Sequence, residues 1–353
     1  MQARVYIIVF FGTLALALGA IASVNWYADA NGVYRGNARQ EEARAYVSAL
    51  LQSPYGLVAH NDERSVKFEL ARQTDADCYT TGSSHEMEIA ANTFPAIRDH
   101  CTKHINLGLA GGTYEDLVTS LSILLTHRHL KHVFIGIEPW MFRWNADVRL
   151  SEQRDVNAQA RKTLGLVDTA IANDHFDMAA NLLNGSYFYA NVKRMLHPTP
   201  TETTQNFKEM QKDARNLLDD EHVFRPDGTY HYSVNFMKAT PTPIGQVGNG
   251  EYKIAKPYLD PTLTKEFENL IQSVLDRGID ITFLIMPYHP KVLECGSKDV
   301  CDAFMAVETY ARKVAGEKGI NVIGGYDPAP MKLKPDDFYD VMHVNGSRLH
   351  KIR

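Results

Sequence analysis

The chain has 353 residues, 44% hydrophobic and 22% charged, enough to bury a full core, and it suits one large α/β domain with insertions better than two small domains. Its formal net charge is -5; Lys and Arg are spread along the chain with no basic block or aromatic–basic interleaving, which argues against a nucleic-acid partner. No Gly-rich phosphate loop or dinucleotide fingerprint is present, and no cofactor is implied.

Residues 5–24 read VYIIVFFGTLALALGAIASV, an uncharged apolar run preceded by Arg4. A helix of roughly 20 residues at about 1.5 Å each spans about 30 Å, the thickness of a bilayer core. A cleaved signal peptide would use Ala20-Ile21-Ala22 as its small-residue site. A retained anchor would use the full run, with Trp26 and Tyr27 at the outer interface. The length of the run favours an inner-membrane anchor over residues 1–26. Either reading sends residues 27–353 across the membrane, because the only early positive charge is N-terminal to the run. The four cysteines, Cys78, Cys101, Cys295 and Cys301, fit export. Cys295 and Cys301 bracket a loop-like stretch that can close a small ring, Cys78 and Cys101 sit just before or within two candidate neighbouring strands and can pair as well, and three connectivities are open. The absence of a CxxC pair with matching His spacing argues against zinc, and no metal is expected.

Beyond a polar exit segment, helical periodicity covers 41–52. A strand over 77–81 ends abruptly at Gly82-Ser83-Ser84, with a helix expected over 85–91. The next strand, 103–107, runs into Gly108-Leu109-Ala110-Gly111-Gly112. Thr113, followed by Glu115 and Asp116, opens an amphipathic helix carrying Leu117, Leu121, Leu124 and Leu125. The strand 132–137 is nearly all apolar, as expected of one buried on both faces. Residues 146–259 interrupt this alternation with helical segments near 155–173, 176–195 and 204–218 and a long loop, an insertion placed over the active edge of the sheet. The alternation resumes with a helix over 262–277, a strand over 280–286, a helix over 300–318 and a strand over 321–323. This β-loop-α order predicts a doubly wound parallel sheet with helices on both faces.

Ligands bind such sheets at the carboxyl ends of the strands, near a switch in strand order. Three marked segments fall there: Gly82-Ser83-Ser84, the glycine loop at 108–112, and Glu138-Pro139-Trp140. Far downstream, Asp340 and His343 lie three residues apart, a spacing that lets a carboxylate orient an imidazole within one turn of chain. The imidazole can then take a proton from a serine brought alongside. Backbone N–H groups at Ser84 and at an unobstructed Gly111 can converge on an oxyanion.

These blocks, in this chain order, resemble the SGNH (GDSL-like) hydrolase superfamily over residues 77–139 and 279–347. The resemblance implies a flavodoxin-like sheet, with Ser84 as nucleophile, Ser83 in place of the usual Asp, Gly111 as oxyanion donor, and Asp340 and His343 as the closing pair. The third block departs from the family: Gly136-Ile137-Glu138-Pro139-Trp140-Met141-Phe142 lacks the expected asparagine. The third oxyanion donor is therefore missing or comes from elsewhere, such as Asn145 or the Tyr288-His289 pair. Asn106, Tyr288, His289 and Asn145 are candidate substrate-binding residues.

Glu138 reads as a helix-capping carboxylate, Trp140 and Trp144 as packing residues under the insertion, and His127, His129 and His132 as a solvated helix end. With its anchor and altered third block, the chain is similar to alginate-acetylation and DltD-like proteins of cell-envelope polymer modification. That similarity implies O-acetylation of an exported polysaccharide beside a membrane-bound O-acyltransferase, in the periplasm. The alternatives are a carbohydrate esterase or deacetylase, and a non-catalytic polymer-binding scaffold.

Overall fold

The computed structural model of the protein describes residues 2–28, 36–60, 62–143, 154–167, 182–196, 218–238, 256–293 and 298–353. The N-terminal helix α1 (Gln2–Ala28) is followed by α2 (Gly36–Gln52), strand β1 (Leu57–Val58) and α3 (Glu63–Gln73). Then come β2 (Cys78–Thr81), α4 (Pro95–His100), β3 (His104–Asn106), α5 (Tyr114–Leu124) and β4 (His132–Gly136). The insertion contributes α6 (Arg154–Thr163), α7 (Gly185–Leu196), β5 (Val223–Phe224), β6 (Tyr230–His231) and α8 (Val234–Lys238). The chain closes with α9 (Pro261–Leu275), β7 (Asp280–Ile285), α10 (Pro290–Leu293), α11 (Lys298–Lys318) and β8 (Asn321–Gly324).

Five strands form one parallel sheet in the order β3-β2-β4-β7-β8. Numbered within the sheet this is 2-1-3-4-5, an order whose switch point lies between its first and third strands, here β2 and β4. All four residues of β2 are buried, as are the last four of β4, so side chains of both parities meet apolar layers. One layer holds Tyr79, Val133, Ile135, Phe267 and Phe283; the other holds Cys78, Phe134, Leu284 and Ile323.

The helices form for local reasons. Asp260 caps α9 by accepting from the N–H groups of Thr262 and Leu263, with Pro261 in the first turn. Its buried stripe, Leu263, Phe267, Leu270, Ile271 and Val274, follows helical spacing, and each such side chain is worth about 1.5–3 kcal/mol of burial. Thr113 and Asp116 form a reciprocal capping box on α5, at the helix start that the sequence marks.

The structure departs from the sequence reading in two places. Residues 85–91 form a succession of turns, and the next helix begins only at Pro95. The insertion carries a small antiparallel sheet, β1-β5-β6, that ties it to the segment before α3. Of its expected helices, α6 and α7 overlap 155–173 and 176–195, while 204–217 lies outside the described residues.

Asn106 N donates to Asp227 O at 2.7 Å, and the buried Lys67 Nζ donates to the carbonyls of Asn106 (3.1 Å) and Gly228 (2.6 Å). The described part of the insertion therefore docks on the carboxyl end of β3. Within α1, Val5–Ala28 is long and apolar enough to cross a membrane, and none of its most apolar window is buried inside the protein.

Cys78 and Cys101 form a disulfide across a sequence separation of 23. Cys301 is also disulfide-bonded, and Cys295 lies outside the described residues. Closing a loop of the Cys78–Cys101 length removes about 3 kcal/mol of chain entropy from the unfolded state. The Cys78→Ser/Cys101→Ser double variant is therefore expected to lose about 3 kcal/mol in urea unfolding; an unchanged midpoint would show that the loop is held by its packing alone.

Candidate active site

The serine turn leaves the carboxyl end of β2. Glu86 N donates to Ser83 O at 3.3 Å, Met87 N to Ser84 O at 3.4 Å and Ile89 N to Glu86 O at 2.9 Å. Ser84 is half-buried at this bend, while Ser83 and residues 85–87 are buried. The opposing segment is a narrow loop near the C-terminus. Its arms are joined by the Phe338–Val344 bridge, by Tyr339 N to His343 O (2.8 Å) and by Asn345 N to Asp337 O (2.8 Å). Asp337, paired with Arg348 and Lys351, pins its base.

That loop presents Asp340 and His343 to Ser84. His343 Nε2 lies 2.8 Å from Ser84 Oγ, and His343 Nδ1 lies 2.7 Å from Asp340 Oδ2. Asp340 Oδ1 accepts from the backbone N–H groups of Met342 and His343, each at 2.7 Å. Burial pushes the Asp340 carboxyl up, but the imidazole and the two backbone donors outweigh it and hold the group at about 2. A permanent carboxylate takes the Nδ1–H, leaving Nε2 to accept the serine proton. The His343 and Asp340 side chains are 15% and 27% exposed, so solvent-borne molecules reach the pair.

The glycine loop packs against the serine turn. Leu109 N donates to Gly82 O at 3.2 Å, and a Cβ on Gly112 would strike that same carbonyl. Gly111 has φ +59°, a left-handed conformation that costs glycine nothing. The loop is fixed from α3: Glu63 accepts from Ala110 N at 2.8 Å, and Arg64 reaches Gly111 O while paired with Asp116. Among the described residues, the backbone N–H groups of Ser84 and Gly111 donate to no acceptor, so both remain available to an oxyanion.

Beneath the serine turn lies a buried carboxyl pair. Glu86 Oε2 accepts from Ser83 N at 2.7 Å, and Glu138 accepts from the Ser83 hydroxyl and, at 3.3 Å, from the Tyr288 hydroxyl. A Cβ on Gly82 or Gly136 would collide with the Glu86 carboxyl; these glycines leave the space that it fills. Burial first, and then the charge of Glu138, pushes Glu86 well above the carboxylate range. Burial raises Glu138 to about 7 against the hydrogen bonds from Ser83 and Tyr288. Both charges cannot be held together there, so the pair retains a proton. His85 packs edge-on against Trp140, Tyr288 and His343, with ring centroids 6.2, 4.8 and 5.2 Å apart. Burial, and then the charge of His343, keeps His85 neutral.

Ser84, His343 and Asp340 are thus brought together, and Gly111 borders the same turn. Asn106, Tyr288 and His289 face inward. Both Asn106 Nδ2 hydrogens go to the Glu86 and Ile89 carbonyls, and its Oδ1 accepts from Gly108 N. The Tyr288 hydroxyl serves Glu138, and His289 accepts from Lys291 N while packing on Phe338. Asn145 and Trp144 lie outside the described residues. Glu138 caps no helix but is part of the buried pair, because the chain after it forms a turn, with Met141 N donating to Glu138 O. Trp140 donates to Gly112 O at 2.9 Å and supports the site itself. His127, His129 and His132 bond separately, to Tyr79, Asp75 and Thr282.

Sequence reasoning passed over Glu86 and Tyr232. The ring of Tyr232 lies 5.9 Å from His343 and stacks on Phe236, bringing the insertion to the rim of the site. A signal for Glu86 exists: a carboxylate two residues past the serine, amid positions that bury, faces Gly82 and Gly136 across the turn.

The folded-state pKa values of Glu138 (about 7) and Glu88 (about 8, through burial) lie above the ordinary 4.5. The folded protein therefore binds more protons than the unfolded chain above that value. Stability present below about 4.5 is lost as the pH rises through about 7 to 8. Calorimetry should show the unfolding temperature falling between about pH 5 and pH 8, less steeply in Glu86→Gln. A Gln at 86 can still accept from Ser83 N and donate to Glu138, whereas Glu138→Gln sets an amide against hydroxyl donors and should cost about 1–3 kcal/mol. A flat or rising profile would contradict the shared proton. No protein-family model matches the chain and no curated protein matches it, so the reading of the site rests on its geometry.

Proposed function

We propose that the protein is a membrane-anchored serine acyltransferase acting outside the cytoplasm, of the SGNH-like class that its sequence blocks resemble. The observation that carries this reading is the continuous chain from Asp340 through His343 to Ser84, with links of 2.7 and 2.8 Å. Ser84 Oγ attacks the acyl carbonyl as its proton passes to His343 Nε2, and Asp340 stabilises the imidazolium. The N–H groups of Ser84 and Gly111 hold the oxyanion. Collapse expels the donor's oxygen, which takes the proton from His343 and leaves an ester on Ser84. An acceptor hydroxyl then gives its proton to His343 and attacks that ester; the bond from the acyl carbon to Ser84 Oγ breaks, and Oγ takes the proton from His343, which restores the serine.

The acceptor in this reading is a sugar hydroxyl of an exported envelope polysaccharide, with the acyl group supplied by a membrane-bound O-acyltransferase. The apolar α1, Arg4 on its N-terminal side, and the Cys78–Cys101 disulfide support a single-pass inner-membrane protein with a periplasmic domain. With water as acceptor the same site is an esterase.

A fluorophosphonate probe should label the native protein but not Ser84→Ala, and His343→Ala should slow labelling by about 100- to 10,000-fold. Incubation with a chromogenic acetyl ester and an acetylatable oligosaccharide should move acetyl to the sugar; release only as acetate would make the protein an esterase. Equal behaviour of the native protein and Ser84→Ala, with no serine adduct, would end the catalytic reading.

A further inference from the structure

Two features of the insertion are not used by the site. Helix α7 packs along α1, and the contact includes a buried polar cluster at the C-terminal end of α1. Asn25 is fully buried; its Nδ2 donates to Leu182 O at 2.9 Å and Asn184 O at 3.3 Å, and its Oδ1 accepts from Asn191 Nδ2 at 3.0 Å. Tyr187 and Asn191, one turn apart, form the buried face of α7. On another face Tyr189 and Leu196 are 71% and 69% exposed, with Met195 beside them at 54% and the half-buried Val192 between. Trp26 and Tyr27 are likewise exposed, at 54% and 70%. The segment GSYFYANVKRML contains two basic residues and no acidic one.

The geometry points to α7 as an interfacial helix whose Tyr189–Leu196 stripe rests in the headgroup region of the bilayer that α1 spans. This inference rests on α1 being a membrane span. The 24 residues of Val5–Ala28 reach about 36 Å at 1.5 Å each, exceeding a hydrocarbon core of about 30 Å. The last turn, which holds Asn25, Trp26 and Tyr27, therefore lies at headgroup depth, where aromatic side chains concentrate. Because Asn25 is bonded to Asn191 and to the chain just before α7, α7 shares that depth. Its apolar stripe continues the lipid-facing surface of α1, its buried stripe faces the protein, and its charge suits anionic lipid. Two elements far apart in sequence would then hold the insertion to the membrane surface.

The test uses the full chain in phosphatidylethanolamine/phosphatidylglycerol vesicles with no other protein present. Single nitroxide labels are placed at Leu196→Cys, at Leu14→Cys within α1 and, as a water-exposed control, at Arg277→Cys. Power-saturation measurements compare collisions with oxygen and with a water-soluble nickel chelate. The expected result is loss of nickel collisions, with oxygen collisions retained, at positions 196 and 14 but not at 277. A Leu196 label as open to nickel as the control, with the Leu14 label protected, overturns the interfacial helix and leaves the span standing. A Leu14 label open to nickel overturns the span, and the inference with it. A Leu196 label shielded from both reagents places another protein copy on this face and also overturns the inference.

Discussion

The space beneath the serine turn is filled by acid, and the surrounding structure is arranged around that fact. Glu86 and Glu138 are buried with Ser83 between them, and Tyr288 and the absence of side chains at Gly82 and Gly136 complete the fit. Water would hydrate these carboxyls far better than the core does, so the turn must satisfy them with its own donors. Ser83 does this twice, through its amide and its hydroxyl, and it cannot move without stranding both acids. Ser84, the next residue, therefore inherits a fixed position. Its rigidity comes from the burial of its neighbours and not from a helix start, which distinguishes this bend from a strand-to-helix elbow.

The insertion contributes at a different level. Its backbone docks on β3 through Asp227 and Gly228, and Lys67 bonds to both sides of the joint. Tyr232 then reaches the ring of His343. Ser84 comes from the end of β2 and Asp340 and His343 from the C-terminal loop, while part of the rim comes from Tyr232, more than a hundred residues from each of them in sequence. Such a division lets a conserved geometry face different acceptors by changing only the covering segment.

Much of this was readable from the chain. The alternation of strands and helices predicts the parallel sheet because the central strands β2 and β4 are buried on both faces and the helices after β3 and before β7 carry apolar stripes. Ser84, Asp340, His343 and Gly111 stand out because serine, glycine and an Asp-x-x-His pair fall at strand ends or in the last loop. The acidic pair was hidden by two expected helices that do not form. With a helix expected over 85–91, Glu86 reads as an ordinary first-turn carboxylate, and Glu138 reads as a cap for a helix that does not form. The small sheet of the insertion was illegible because its strands have two residues each, too few for any periodicity, and β1 pairs with β5 across most of the core domain. The inward-facing roles of Asn106, Tyr288 and His289 were equally hidden, since a strand-end polar residue looks the same whether it faces solvent or a buried carbonyl.

The two oxygens of Asp340 have different tasks, and this restricts what can replace the residue. Oδ1 is committed to two backbone donors and Oδ2 to the imidazole. An asparagine there has one acceptor to offer. Two amide hydrogens of the loop claim it, which turns the NH2 group towards Nδ1 of His343. An N–H aimed at Nδ1 selects the tautomer with its hydrogen on Nε2, and a nitrogen already bearing hydrogen cannot accept one from Ser84. The loop's own folding thus decides which face of the imidazole is basic, so a change of a single atom in shape-matched surroundings would leave the site assembled and its proton path reversed.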